Sequence, residues 1–426
     1  MIREVKDNTL YFDGCSTVEL AKKYGTPLYV FSETAIHREF EELNATFVSK
    51  YPNTRVAYAS KAFCTVAMYR LCQANNACID VVSGGELYTA MQAGYPAEKI
   101  EFNGNNKQPE EIAMALDYGI GRFIVDGLQE LTLLEAMCAE RGKTANVLFR
   151  ITPGVKSDSH DYIVTGKKDS KFGIPLDDDV IYPQVKQAID AAHINFMGFH
   201  FHVGSQLFDN GSHLQALDIM LNVVKTVKER FHYDVTELNL GGGFGAVYTT
   251  EDRKPYAYFL DPMMERIEAF FKEMGINRPN VVIEPGRSIA AEAGLSLYTV
   301  GNIKEIRDVR KYVAVDGGMG DNIRPALYQA VYDGVLANKA DVPKDDVATI
   351  CGKCCESGDI LIRDLAMAPA ESGDLLAIFS TGAYGYSMAS NYNRNRIPAV
   401  VFVKEGNDRL VVKRQSYEDI LRNEIF

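Results

Sequence analysis

Through the first two thirds of the chain, short apolar runs rich in β-branched residues alternate with stretches whose apolar positions fall at helical spacing. Eight runs read as strands: Arg55–Ser60, Cys78–Ser83, Ile100–Gly104, Arg122–Asp126, Asn146–Thr152, Met197–Val203, Glu237–Leu240 and Val281–Ile283. The first five begin about 22 to 24 residues apart, the length of one strand–helix unit. Between them, Glu86–Ala93 follows Ser83-Gly84-Gly85, and Leu128–Arg141 is rich in Leu, Glu and Ala, so both predict helices. Eight such units predict an α/β fold built on a TIM-type (β/α)8 barrel.

Two longer intervals interrupt the rhythm. The first holds the polar stretch SDSHDYIVTGKKDSKFG around His160, read as a loop over the barrel mouth, and then a helix near Tyr182–Ala192. After Arg287 the pattern changes to strand-like pieces separated by turns, among them Leu297–Val300, Tyr312–Val315, Asp374–Phe379 and Ala399–Val403. Without regular crossover helices, these predict a mainly antiparallel β-barrel or sandwich domain. Thr9–Phe12 and Pro27–Phe31 are expected to join it. The expected division is a cofactor-binding barrel over residues 33–287, with residues 1–32 and 288–426 forming the β domain.

At 426 residues the chain exceeds one compact core, and a barrel of about 250 residues plus a second domain accounts for its length. Lys and Arg number 45 against 57 Asp and Glu, a net charge of −12 that argues against nucleic acid or an anionic membrane as partner. No stretch approaches the roughly 18 consecutive apolar residues of a membrane helix. MIREVKDNTLYFDG lacks the apolar segment of a secretory signal. Eight cysteines are too sparse for a disulfide scaffold, so the expected location is the reducing cytoplasm. The cluster Cys351-Gly-Lys-Cys354-Cys355 has half the spacing of a zinc site, but no second half accompanies it. No metal is expected.

In a TIM barrel, chemistry collects at the C-terminal ends of the strands. The first strand runs into Lys61, an amine that loses hydration in an apolar barrel mouth and becomes a usable nucleophile. The sixth ends in His200-Phe201-His202, two imidazoles on one face. They are open to metal binding, ring stacking or core packing, and no carboxylate stands at ligand spacing. The seventh ends in Gly241-Gly242-Gly243-Phe244-Gly245, whose amides are free to converge on an anion. The eighth ends in Glu284-Pro285-Gly286-Arg287, a carboxylate and a guanidinium across a rigid turn. An amine, a ring face, a phosphate cradle and a carboxylate together match the needs of pyridoxal phosphate.

These motifs resemble the diaminopimelate decarboxylases, members of the fold-type III pyridoxal-phosphate enzymes that also include ornithine decarboxylase and alanine racemase. The likeness runs through YASKAF at Lys61, DVVSGGEL from Asp80, DSKFGI from Asp169, GFHFHVGSQ from Gly198, NLGGGFG from Asn239 and EPGRS from Glu284. It continues through RPALY from Arg324, CCESGD from Cys354 and GAYGYSMASNYN from Gly382. The resemblance implies decarboxylation of meso-2,6-diaminopimelate to L-lysine and CO₂, the last step of bacterial lysine biosynthesis.

By the same resemblance, Lys61 holds the cofactor as a Schiff base and returns a proton, and His202 stacks on its ring. Ser205, Gly242, Gly243, Gly286, Arg287 and Tyr384 surround the phosphate or its approach. Glu284 pairs with the ring nitrogen, where the alanine racemases carry Arg, while Asp80 and Arg150 lie close by. Arg287, Arg324, Tyr328 and Tyr384 meet the substrate, with Arg324 and Tyr328 taking its distal carboxylate and Glu356 its distal ammonium. Cys355 is the acid that protonates carbon after CO₂ loss, tuned by Glu356 and Asp359, whose carboxylates are expected to raise its pKa. Because Cys355 and Glu356 belong to the partner's site, a homodimer with shared sites is expected.

The nearest alternatives are decarboxylases of ornithine, D-lysine or carboxynorspermidine, against which Arg324 and Tyr328 argue. A racemase is opposed by Glu284, and a non-catalytic regulator by the presence of Lys61, Arg287 and Cys355. Two departures from the family pattern are Gly320, where relatives often carry Asn, and the insert near His160, which matches only at its SKFG end.

Overall fold

The computed structural model describes residues 2–155 and 170–426, so the insert around His160 lies outside the described residues. The chain divides into two compact units, one of Phe40–Gly245 with Arg253–Arg287, the other of Met1–Glu39, Ala246–Asp252 and Ser288–Phe426.

The first unit is a closed parallel barrel. Its strands are β1 (Thr54–Ala59), β2 (Cys78–Val81), β3 (Ile100–Phe102), β4 (Arg122–Val125), β5 (Ala145–Thr152), β6 (Ile194–His200), β7 (Glu237–Asn239) and β8 (Asn280–Ile283). Each pairs in parallel with the next, and β8 pairs with β1 through Val281–Thr54 and Ile283–Val56, which closes the sheet. Ile79, Ile124, Val125, Leu148, Leu238 and Val282 are buried, as expected of strands covered on both faces. All eight strands fall where the apolar runs place them, to within a few residues. The largest shift is β6, which ends at His200 rather than Val203 because the chain leaves the ladder after Phe201, whose N–H still donates to the Asn239 carbonyl at 3.1 Å.

Capping fixes where the helices above the strands begin. Ser83 accepts the Glu86 N–H to start Gly84–Ala93, and Thr65 accepts the Met68 N–H to start Val66–Ala74. Such caps contribute about 1 kcal/mol each and hold the strand–helix turns where the site is built. Helix Leu128–Arg141 has the predicted limits, and Asp178–Asp190 takes the place of the helix expected near Tyr182–Ala192.

The second unit is a mainly antiparallel sheet. At its centre Leu28–Ser32 lies between Gly294–Ile306, paired antiparallel, and Ala399–Lys404, paired parallel. A second parallel pair joins Arg310–Val315 to Asp346–Cys351. Thr9–Phe12 does not enter this sheet. It forms a three-stranded sheet with Arg3–Lys6 and Cys15–Ser16, and its Leu10 and Phe12 join a core with Leu28, Val30, Leu295, Leu297 and Val401.

Candidate active site

Lys61 stands in the short 3₁₀ turn Ser60–Ala62 that follows β1. Its side chain is exposed, where the sequence led to the expectation of an enclosed amine. Among the described residues the ammonium has no hydrogen-bond or ion-pair partner, though its charge acts on Asp80, Glu86 and Glu284.

The most elaborated group in the barrel is Glu284, directly after β8. It is 9% exposed, and three bonds hold its carboxylate. Asn103 and Asn239 donate to Oε1 at 3.1 and 2.8 Å, and His200 Nε2 stands 3.0 Å from Oε2; its backbone N–H donates to Gly241 O at 2.7 Å. Burial alone raises a carboxyl pKa, but His200, Lys61 and Arg150 outweigh it and hold Glu284 down at about 2. Asp80, at the C-terminal end of β2, shares Asn103 with it, accepting from Nδ2 at 2.7 Å. Burial and the nearby charge of Glu284 hold Asp80 well above the usual carboxyl range. Two adjacent carboxyls are thus pushed apart, Glu284 toward its ionised form and Asp80 toward its protonated one. Arg150, on β5, faces both; its Nε lies 3.9 Å from Asp126 and its guanidinium 4.4 Å over the Phe172 ring.

His202 lies just beyond β6. Desolvation, then the charges of Lys61 and Arg150, hold its pKa well below the usual imidazole range. The neutral ring accepts the Gly242 N–H on Nδ1 at 3.3 Å. The glycine run needs its glycines: a Cβ on Gly242 would lie 2.1 Å from the Glu284 carbonyl, and one on Gly243 2.6 Å from the Gly204 carbonyl, with φ at 104°. His213 supports this loop from behind, its Nε2 2.9 Å from the Gly242 carbonyl. The Gly243 N–H has no acceptor among the described residues. Arg287 Nε and Nη2 both donate to Ser205 Oγ, at 3.0 and 2.9 Å, and Gly286 packs against Ala59, where a Cβ would come within 2.9 Å.

The barrel therefore brings Lys61, Asp80, Arg150, His202, Ser205, Gly242, Gly243, Glu284, Gly286 and Arg287 to the same end of its strands. They fit pyridoxal phosphate. The ionised, caged Glu284 suits a protonated ring nitrogen, the neutral His202 a ring face, the partnerless Lys61 an aldehyde, and the Gly243 amide with Arg287 a phosphate. No group of His, Cys, Asp and Glu among the described residues is arranged to hold a metal ion.

The remaining predicted residues lie in the second unit. Arg324 and Tyr328 open and close the short helix Arg324–Tyr328. Arg324 is buried, bonded to the Tyr332 hydroxyl and lying 4.8 Å over the Tyr248 ring. Cys355 and Glu356 are exposed in the loop after Asp346–Cys351, where the Cys355 N–H donates to Asn393 Oδ1 at 2.6 Å. Asp359 instead accepts the amides of Met319 and Cys354, and the thiol it faces is that of Cys354, pushed up to about 11 chiefly by burial. Tyr384 has φ 61°, a left-handed conformation rare for a non-glycine residue. No hydrogen bond or ion pair among the described residues joins Arg324 or Tyr328 to Cys355 or Glu356.

Sequence reading passed over Asn103 and Asn239, and it left His200 open between packing and function. The signal was available for both amides, since Asn103 follows β3 and Asn239 ends β7, at the barrel end where chemistry collects.

Comparison with known proteins identifies the family. Residues 36–291 match the family model described as pyridoxal-dependent decarboxylase, pyridoxal binding domain. The chain is 47% identical to the diaminopimelate decarboxylase of Bacillus subtilis (strain 168) over 99% of its length and 96% of that protein's. It is 41% identical to that of Staphylococcus aureus (strain COL), over 98% of each chain. The crystal structure of the Methanocaldococcus jannaschii diaminopimelate decarboxylase in complex with L-lysine superposes with a TM-score of 0.93 at 37% identity, covering 100% of this chain and 98% of that one. The caged carboxylate, the glycine loop and these likenesses together place the chain in the diaminopimelate decarboxylase family of pyridoxal-dependent decarboxylases.

Proposed function

We propose that the chain removes the carboxylate at the D-centre of meso-2,6-diaminopimelate, giving L-lysine and CO₂, and that it uses pyridoxal phosphate to do so. The observation that carries the reading is Glu284, an ionised carboxylate caged by His200, Asn103 and Asn239 at the reactive end of the barrel. When bound, pyridoxal phosphate supplies an electron sink for the pair left behind by CO₂.

The chain's own groups have separate tasks. Lys61 Nζ holds the cofactor's aldehyde carbon and is free to carry a proton afterwards. Glu284 keeps a proton on the ring nitrogen, since an ionised carboxylate favours the charged partner. His202 gives an uncharged flat surface, and Ser205, Gly242, Gly243, Gly286, Arg287 and Tyr384 meet the phosphate or its approach. Asp80 and Arg150 orient the groups around Lys61.

For the substrate, Arg324, Tyr328 and Arg287 take the distal carboxylate, Tyr384 borders it, and Glu356 takes the distal ammonium. Cys355 Sγ delivers the proton that replaces CO₂. The exposure of Cys355 and Glu356 in the single chain supports a homodimer in which each subunit completes its partner's site. On this reading residues 33–287 bind the cofactor, and residues 1–32 and 288–426 carry the substrate-binding and dimer-interface residues. The protein acts in the cytoplasm; no helix among the described residues is long and apolar enough to cross a membrane.

The test is CO₂ release from meso-diaminopimelate beside ornithine, D-lysine and L-lysine, with cofactor added and Lys61→Ala as control. Release from diaminopimelate alone, lost in the control, is the expected result. Release chiefly from ornithine or D-lysine would keep the chemistry and overturn the assignment of Arg324 and Tyr328.

A further inference from the structure

Asn239, the last residue of β7, is fully buried, and every polar atom of its side chain is engaged. Its Oδ1 accepts the Gly241 N–H at 2.9 Å. Its Nδ2 uses one hydrogen on Glu284 Oε1 at 2.8 Å and the other on Glu101 Oε2 at 3.0 Å. The orientation of the amide is fixed by chemistry, because the backbone N–H at Gly241 must meet the oxygen, leaving the nitrogen for the two carboxyls. Gly241 itself has φ 66°, and a Cβ there would lie 2.3 Å from the Phe201 carbonyl, so the start of the glycine run cannot shift freely.

Glu284 and Gly241 are already joined at the backbone, Glu284 N–H to Gly241 O at 2.7 Å; the Asn239 amide adds the link from the first glycine of the loop to the carboxylate itself. Glu284 is held from other sides by Asn103 and His200, but neither of these touches the glycine loop through a described hydrogen bond. Glu101, on β3 and buried, takes the amide hydrogen that would otherwise be left unsatisfied at the barrel axis.

We propose that Asn239 is a positioning residue that sets Glu284 and the glycine loop at one fixed separation, so that the ring nitrogen and the phosphate of a single pyridoxal phosphate are met at once. This rests on the reading of the site as a pyridoxal-phosphate site. Asparagine is required on this account, because aspartate would still receive the Gly241 N–H but would turn an acceptor toward two carboxyl groups.

The experiment is a titration of full-length protein with pyridoxal phosphate, followed by absorbance across a pH series, for the unsubstituted chain, Asn239→Asp and Asn239→Ala. Hydrogen bonds to charged groups are worth about 1.5–3 kcal/mol, so both variants should bind the cofactor about tenfold or more weakly. In Asn239→Asp the pH midpoint of the bound cofactor's visible band should also move by about one unit, which loss of packing alone would not produce. Asn239→Ala keeps the test available should the aspartate variant not fold. Cofactor affinity within about twofold and an unmoved midpoint in a folded variant would overturn the proposal. Failure of the unsubstituted chain to bind pyridoxal phosphate would instead overturn the cofactor reading, and this one with it.

Discussion

Glu284 Oε2 and His200 Nε2 lie 3.0 Å apart in the barrel interior, while the other imidazole nitrogen has no hydrogen-bond partner among the described residues. An ionised carboxylate accepts, so Nε2 carries the hydrogen and the ring is held by this one bond. Replacing Glu284 with Gln keeps the size of the group and its ability to accept from Asn103 and Asn239, but removes the charge that, on the proposed reading, keeps a ring nitrogen protonated. Glu284→Gln should therefore still bind pyridoxal phosphate while kcat for decarboxylation falls by roughly 10²–10³-fold, the usual effect of losing one preorganised electrostatic contact. An unchanged kcat in the cofactor-loaded variant would remove Glu284 from the mechanism.

The neutral state of His202 makes a second prediction. If the imidazole serves as a flat surface rather than as an acid, another aromatic ring should replace it. Aromatic contacts of this kind contribute about 0.5–1.5 kcal/mol. His202→Ala should weaken cofactor binding about 2- to 12-fold, and His202→Phe should restore most of that loss. Equal defects in the two variants, measured by cofactor titration, would point to a polar role for the ring instead.

Much of the fold could be read from the chain because the barrel strands are largely buried on both faces, which leaves a compact apolar run such as Val281–Ile283 with a chemically distinct residue, Glu284, after it. The same strand-end rule singled out Lys61, Glu284 and Arg287. Asn103 carried no signal beyond its place after a strand, and one amide there looks like any turn residue until the fold brings it 3.1 Å from Glu284, 181 positions away. The parallel pairing of Leu28–Ser32 with Ala399–Lys404 was hidden for a similar reason: nearly the whole chain separates two strands whose patterns suit either direction.

Glu101 is a buried carboxyl on β3 whose ion-pair contact with Arg55 is long, at 3.9 Å. Burial, then the nearby charge of Glu237, push it up to about 8 against the pull of Arg55 and Arg122. In the unfolded chain it titrates near about 4.3. Between these values the folded chain retains a proton that the unfolded chain has lost, so this group's contribution to stability is complete below about pH 4 and fades as pH rises through about 8. Glu101→Gln removes that dependence. The variant should gain stability over the unsubstituted protein between pH 5 and pH 9, by on the order of 2 kcal/mol, read as diverging melting temperatures. Parallel melting curves across that range would place the ionised form of Glu101 in the folded protein.

On the proposed reading, Arg324 takes the distal carboxylate of the substrate. Its guanidinium is bonded to the Tyr332 hydroxyl and lies over the Tyr248 ring, a setting that fixes the plane of the fork. Lysine would keep the charge and lose both the plane and the ring contact. Arg324→Lys should lower kcat/KM for meso-diaminopimelate about tenfold or more, chiefly through KM, because a distal carboxylate is bound alike in ground and transition states. A fall in kcat with KM unchanged would argue that Arg324 acts on the reacting centre.

At the opposite end of the strands, Glu237 has no exposed side-chain surface and accepts from Arg55 Nη2 at 2.6 Å and from Arg122 Nε at 2.5 Å and Nη2 at 3.1 Å. Glu237 begins β7 and Arg122 begins β4, so the cluster sits at the N-terminal ends of the strands, where charge serves stability rather than chemistry. Removing one member leaves two half-buried guanidiniums facing a single carboxyl, Glu101, which lies 3.9 Å from Arg55. Glu237→Gln should therefore lower stability by about 3 kcal/mol in denaturant unfolding. At temperatures where the variant remains folded, kcat should stay within about twofold, since each interaction lost lies outside the group that meets cofactor or substrate. A large loss of kcat in fully folded protein would show that this cluster reaches Glu284 through Glu101 and Asn239, and would make the barrel floor part of the catalytic machinery.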